Sequence, residues 1–349
     1  MIFFHLSHTD LDGYGCQLIS KKIFPNGRFY NANYGLEVKL FIEDILEKIE
    51  TSPKNNNIFF LITDLNLSYD ESKKLNHSIK KLNLNGYNIT LQLLDHHGTG
   101  TKSASKYDWY FLDTSKSATK ITYEYFSTNY SNFIDLCEDN FAQLIKAINA
   151  VDIWLEDDDL FEFGKVCMSM VSNAREINNI LFPEQNLEYR HHLLLQSLQF
   201  IDNDQGHIEF DEKLYFLKKA YLTLDATVDT FDNTSSKKLV DNLKNSKEKF
   251  TVYYQNHKAL LTYCLGSISI PANQFLKENP DYDFFVDIGR RGKASFRANN
   301  GINVANLAQK LGDGGGHPNA SGCAFDDWKE QVLYNEVKTY FQNKLDSLE

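Results

Sequence analysis

Short apolar runs alternate with longer stretches of helical apolar spacing through the first half of the chain. Ile2 to Leu6 reads as a compact strand. Residues 13–24 follow it with Cys16, Ile19, Ile23 and Phe24 on helical spacing. Ile58 to Ile62 predicts a second strand, between an Asn-rich turn and Thr63-Asp64. Residues 69–84 read as a helix, Ile89 to Leu94 as a third strand ending at Asp95, and 117–128 and 139–151 as helices. Strands alternating with helices predict an α/β fold with a parallel sheet and right-handed crossovers.

The pattern changes over 187–247, which is charge-rich, nearly free of Gly and Pro, and long enough for two helices. Beyond it, Phe250 to Tyr254, Ala259 to Leu265, Phe284 to Ile288 and Ala294 to Arg297 read as strands. A helix over 303–311, the loop DGGGHPNASG and a final helix over 328–345 complete the chain. The organisation expected is an N-terminal parallel-sheet domain over 1–190, a helical connector over 191–247, and a smaller C-terminal α/β domain over 248–349.

The length of 349 residues agrees with two domains. Hydrophobic residues at 42% and charged residues at 24% exclude disorder as the dominant state. No apolar run reaches membrane-spanning length, and MIFFHLSHTD lacks the basic region and long apolar stretch of a signal peptide. A cytoplasmic protein without a membrane partner is therefore expected. The net charge of −11 argues against coating long nucleic acid through its phosphates. It leaves room for a short anionic substrate in a local pocket that holds metal cations. The five cysteines are scattered and show no C-x-x-C spacing, which reads as reduced thiols without structural zinc.

Candidate chemistry falls where strands end. Asp10 and Asp12 follow the first strand in SHTDLDG, Asp64 follows the second in LITDL, and Asp95-His96-His97 follows the third in LLDHHG. Asp152 closes a helical segment in NAVDIW. In an open α/β sheet the carboxyl ends of the strands line the ligand crevice. Taken singly, D-x-D-G is an ordinary turn or helix cap and Asp-His-His an ordinary polar loop. Together, so many carboxylates can share a pocket only if cations neutralise them. Asp with neutral imidazole suits divalent transition metals, manganese among them. A two-metal site, bridged by one carboxylate, produces a hydroxide at neutral pH and stabilises a phosphoryl group under attack. Hydrolysis of a phosphate ester is the chemistry expected.

On these motifs, with GGGHPNASG at 314–322, the chain resembles the DHH phosphoesterase family, and within it the branch carrying a C-terminal DHHA1 substrate module. SHTDLDGYGC, SAT at 117–119 and DIW at 152–154 are most similar to the bacterial nanoRNase branch, which degrades short oligoribonucleotides. The resemblance implies two divalent ions, manganese expected. Asp64 would bridge them, Asp10 would bind one, and Asp12, His96 and Asp152 would bind the other. His97 would face the scissile phosphate, with Asp95 orienting His96. Relatives place a further ligand histidine where Leu6 stands here. His8, which shares the facing of Asp10 on an extended backbone, is read as that ligand, the alternative being a histidine that hydrogen-bonds the loop. His5 points to the other face. In the C-terminal module, Gly314, Gly315 and Gly316 would let consecutive amides cradle a phosphate, His317 would contact that phosphate or a base, and Arg297 would grip the far phosphate.

The resemblance implies hydrolysis of two- to five-nucleotide RNAs to 5′-mononucleotides, and the long connector is expected to let the two domains close over the substrate. Rival substrates within the same chemistry are cyclic or linear dinucleotides, 3′,5′-bisphosphonucleotides and cyclic mononucleotides. A non-catalytic nucleotide sensor is the alternative of a different class. Dimers are common among the enzymes it resembles, and the sequence itself demonstrates none. The acidic run 156–159 and Arg290-Arg291 read as solvated turns, and His191-His192 lacks partner acids at metal spacing.

Overall fold

A computed structural model describes residues 1–299 and 301–348. The elements run β1 (Ile2–Ser7), α1 (Leu11–Ile23), β2 (Arg28–Asn31), α2 (Leu36–Glu50), β3 (Asn57–Thr63), α3 (Tyr69–Leu84), β4 (Asn88–Asp95), α4 (Thr101–Ala104) and β5 (Tyr110–Leu112). Helices follow: α5 (Ala118–Asn129), α6 (Phe141–Asp152), α7 (Phe161–Asn173), α8 (Pro183–Ser197), α9 (Gly206–Leu222), α10 (Phe231–Asn245) and α11 (Lys247–Phe250). The rest is β6 (Thr251–Tyr254), β7 (His257–Tyr263), α12 (Ser269–Glu278), β8 (Phe284–Ile288), β9 (Lys293–Ala298), α13 (Val304–Leu311), β10 (Asp313–His317), β11 (Ala320–Ala324) and α14 (Tyr334–Asp346). Three long helices occupy the region read as two. The chain divides into two units, 1–174 with 187–214, and 175–186 with 215–349.

The first unit holds a parallel five-stranded sheet in the order β2-β1-β3-β4-β5. The predicted strands β1, β3 and β4 are its centre, and β2 and β5, absent from the sequence reading, are its short edges. Phe4, Leu6, Phe60, Ile62, Leu91 and Leu93 alternate onto one face, against Val38 and Ile45 of α2 and Leu75 and Ile79 of α3. Phe3 and Phe59 turn to the other face, where Phe24 stacks on Phe3 at 4.0 Å. With both faces covered, the central strands read as continuous apolar runs. The chain steps from β1 to β2 on one side and then crosses back to β3 on the other, so the order reverses between β1 and β3, where ligands bind in open α/β sheets.

The second unit is built on a mixed six-stranded sheet ordered β10-β11-β9-β8-β7-β6, in which only β7 and β8 pair in parallel. The segment DGGGHPNASG, read above as a loop, is mostly strand: β10 and β11 form an antiparallel hairpin with Gly315 opposite Gly322. Its glycines fit that hairpin. A Cβ on Gly314 would fall 2.5 Å from Cys323 Cβ, and one on Gly316 would fall 2.7 Å from Ala320 O. No helix among the described residues is long and apolar enough to cross a membrane.

Candidate metal centre

Asp10 is the N-cap of α1, its Oδ1 accepting from Gly13 N at 3.0 Å. That tight turn demands glycine at 13, because a Cβ there would lie 2.3 Å from His8 O. Asp12 enters the first turn of α1 and is buried. The start of α5 grips its carboxylate: Ala118 N donates to Oδ2 at 2.7 Å and Thr119 N to Oδ1 at 2.8 Å. The Thr119 hydroxyl donates to Asp12 O at 2.7 Å. A helix N-terminus offers unpaired amides and a positive dipole end, so it suits a buried carboxylate. The Ser-Ala-Thr segment thus positions a candidate ligand from another part of the chain, a role its own sequence did not disclose.

Asp64 leaves β3 in the left-handed conformation (φ 54°), an outlier that Asp tolerates and that recurs at functional sites. Its two oxygens look two ways. Oδ2 lies 3.7 Å from His8 Nδ1, and Oδ1 lies 3.4 Å from His96 Nε2. His8 Nδ1 is also 2.7 Å from Asp10 Oδ2. His96 Nε2 is further ringed by Asp152 Oδ2 at 3.6 Å and Asp12 Oδ2 at 3.7 Å. These separations around His96 exceed hydrogen-bond length. They approach the spacing, roughly 3.0–3.5 Å, of ligands that share an ion at about 2.1 Å each. Two clusters result, His8 with Asp10 and Asp64, and Asp12 with His96 and Asp152; Asp64 also groups with His96 and His97.

Electrostatics agree with cation sites. Burial first, then the neighbouring carboxylates, push Asp12 and Asp64 up, and push Asp152 up to about 9. Desolvation also opposes ionisation of Asp10, but the His8 ring and the Gly13 amide outweigh it and hold that carboxyl low. Asp64 Oδ2 and Asp152 Oδ2 are buried without a hydrogen-bond partner among the described residues. Orphaned carboxylate oxygens in such a cluster are costly unless a cation meets them. The donor set therefore fits divalent ions.

One sequence expectation is corrected. Asp95 orients His97, not His96: its Oδ1 accepts from His97 Nδ1 at 2.7 Å, and its Oδ2 accepts from the Tyr110 hydroxyl at 2.8 Å. That hydrogen bond, with burial opposing it, raises the His97 pKa. Tyr34, which the sequence reading passed over, stands beside both histidines, its hydroxyl 3.3 Å from His97 Nε2 and its ring 5.1 Å from that of His8. No local motif marks it; the turn after β2 brings it there. His5 is buried on the other side of β1, bonded to Ser20 Oγ and Thr63 Oγ1 at 2.7 Å each. His191 is likewise buried, against Tyr14 O at 3.1 Å.

In the second unit, Arg297 on β9 donates to Ser269 Oγ at 3.0 Å and to Phe296 O at 2.8 Å. Gly314, Gly315, Gly316 and His317 lie on the edge strand β10. Consecutive amides of a strand point to opposite sides, so the three glycines do not converge on one phosphate as a loop cradle would. A Cβ on Gly315 would meet nothing closer than 3.9 Å.

Acids and imidazoles gathered at the switch point of a parallel sheet define an α/β phosphoesterase. The DHHA1 domain model matches residues 265–343. Over 97% of both chains the protein is 40% identical to a 3′,5′-cyclic-nucleotide phosphodiesterase of Helicobacter pylori. It is 25% identical to oligoribonuclease NrnB of Bacillus subtilis, over 96% of this chain and 76% of that one. The crystal structure of a protein from Helicobacter pylori G27 superposes with a TM-score of 0.90 at 40% identity, over 99% of each chain. The chain belongs to the DHH/DHHA1 phosphoesterase family.

Proposed function

We propose that the protein is a manganese-dependent phosphodiesterase that hydrolyses short oligoribonucleotides, two to five nucleotides long, to 5′-mononucleotides. The observation that carries the reading is Asp64, whose two carboxylate oxygens face separate ligand clusters through His8 and His96. In this assignment His8, Asp10 and Asp64 would hold one ion, and Asp12, His96 and Asp152, with Asp64 shared, would hold the other. The ions supply activation of water and neutralisation of phosphoryl charge. His97, fixed by Asp95 through Nδ1, presents Nε2 to the scissile phosphate or the departing 3′-oxygen. Arg297 receives a terminal phosphate, which a planar guanidinium can hold at two points. His317 and the β10 edge contact the same end of the substrate. Oxygen-rich donors with imidazole favour manganese over softer-ligand metals. The net charge of −11 disfavours long RNA, and a cytoplasmic location agrees with five free cysteines.

A second reading, hydrolysis of 3′,5′-cyclic mononucleotides, is favoured by the 40% identity to the Helicobacter pylori enzyme of that name. Both reactions break the bond from phosphorus to the 3′-oxygen and release a 5′-mononucleotide. A manganese-dependent panel separates them: a 5′-phosphorylated dinucleotide, a five-nucleotide RNA, a long RNA, cyclic AMP, cyclic di-AMP and adenosine 3′,5′-bisphosphate. Rapid conversion of the two shortest RNAs with the long one spared is expected. Turnover of cyclic AMP alone would establish the second reading. Phosphate release from the bisphosphate alone would overturn both.

A further inference from the structure

Helix α6 ends on Asp152, and its ending contains an anomaly. Ile153 caps the helix, and the Leu155 N–H closes back onto Ala150 O at 2.7 Å. That six-to-one hydrogen bond marks a Schellman turn, whose residue after the cap adopts the left-handed conformation. Here that residue is Trp154, at φ 58°. Glycine or asparagine is the usual occupant, because a Cβ crowds the following carbonyl there. A bulky aromatic in this conformation is a strained outlier, and such strain collects at functional sites.

Burial does not compensate the strain. Trp154 is 58% exposed and its neighbour Leu155 is 41% exposed. Yet the indole is held: Nε1–H donates to Glu156 Oε1 at 2.6 Å, and the buried Phe161 ring meets it edge-on with centroids 5.2 Å apart. An exposed, immobilised aromatic surface thus lies two residues beyond Asp152, whose carboxylate clusters with Asp12 and His96. The run Glu156 to Asp159 beside it is acidic and repels phosphates, whereas a neutral base is not repelled.

The geometry points to Trp154 as a stacking platform for a nucleobase of the substrate, next to the Asp152 side of the metal centre. Every base offers a π face to an indole, and a ring already fixed loses little conformational freedom when one stacks on it. The inference rests on the nucleotide reading above and extends it: the enzyme recognises a base as well as a phosphodiester.

Trp154→Gly and Trp154→Phe test it. Glycine suits the left-handed position, so Trp154→Gly is expected to melt no lower than the natural protein. For a dinucleotide and for the same diester lacking its bases, the ratio of their kcat/KM values is measured. Trp154→Gly should lower that ratio about tenfold or more, mainly through KM, and Trp154→Phe should restore most of it. Adenosine 5′-monophosphate, with calcium as the metal, should quench tryptophan fluorescence in the natural protein and much less in Trp154→Phe. An unchanged ratio in folded Trp154→Gly overturns the platform. So does a uniform loss of kcat on both diesters, which would mark a structural role beside Asp152. If the natural protein cleaves no diester while the monophosphate still quenches Trp154, the phosphodiesterase reading fails and the platform stands.

Discussion

His97 Nδ1 lies 2.7 Å from Asp95 Oδ1, and its Nε2 lies 3.3 Å from the Tyr34 hydroxyl. The buried carboxylate fixes the ring's proton on Nδ1 and leaves Nε2 as the acceptor nitrogen facing Tyr34, the atom the proposed mechanism would turn to the substrate. Asp95→Asn removes that control while the Tyr110 hydroxyl still finds an acceptor. We expect kcat to fall about 10- to 100-fold, as for partners that orient active-site histidines. Manganese affinity, read by calorimetry, should change little. A loss of manganese binding instead would mean that Asp95 supports the ligands.

Asp64 stands 1% exposed among other carboxylates, so its charge is a liability without metal. Asp64→Asn removes it. The metal-stripped variant should melt above the stripped natural protein, each kcal/mol appearing as about 2–4 °C for a cooperative unit the size of residues 1–174 with 187–214. Manganese should raise the melting temperature of the natural protein and much less that of the variant, whose activity should vanish. Equal stabilisation of both proteins by manganese would remove Asp64 from the bridging position.

Arg297 separates the two substrate readings. Arg297→Ala should raise KM for a 5′-phosphorylated dinucleotide by about 10- to 100-fold, the scale of a lost charge-assisted hydrogen bond. Cyclic AMP, which has no second phosphate, should lose far less. Equal losses on both substrates would show that the side chain supports β9 and Ser269 and does not grip a terminal phosphate.

Asp287, buried on β8, gives a pH signature outside the metal centre. Burial pushes its carboxyl up to about 6, against the opposing Leu265 and Gly266 amides and the Thr262 hydroxyl. Because the folded value exceeds the ordinary one of 3.8, the folded chain holds the extra proton between them. The Asp287 contribution to stability therefore falls as pH rises through that window, by up to about 3 kcal/mol. Asp287→Asn should flatten this slope in urea unfolding and equal or exceed the natural stability at pH 7.5. A persistent slope would assign it to other groups.

The sequence by itself determined the parts whose reasons are local. β1, β3 and β4 are runs apolar on both faces, which a doubly covered parallel sheet requires, and Tyr69–Leu84 shows helical periodicity bounded by a Ser68–Glu71 capping box. The clustering of Asp10, Asp12, Asp64 and His96 was legible because strand ends in such a sheet converge, and Asp152, at the end of α6, was legible only through its motif. Tertiary structure alone decided the rest. β2 is four residues and β5 three, too short for any period to show. Gly314 to Gly316 have no intrinsic strand preference, and only pairing with β11 makes them one. Asp95 turns to His97 because of side-chain directions at the end of β4, and Thr119 and Tyr34 reach the centre from separate turns. Local patterns encode which residues are buried and which elements form. Which carboxylate meets which imidazole depends on ångström-scale distances between segments far apart in the chain, and packing alone sets those.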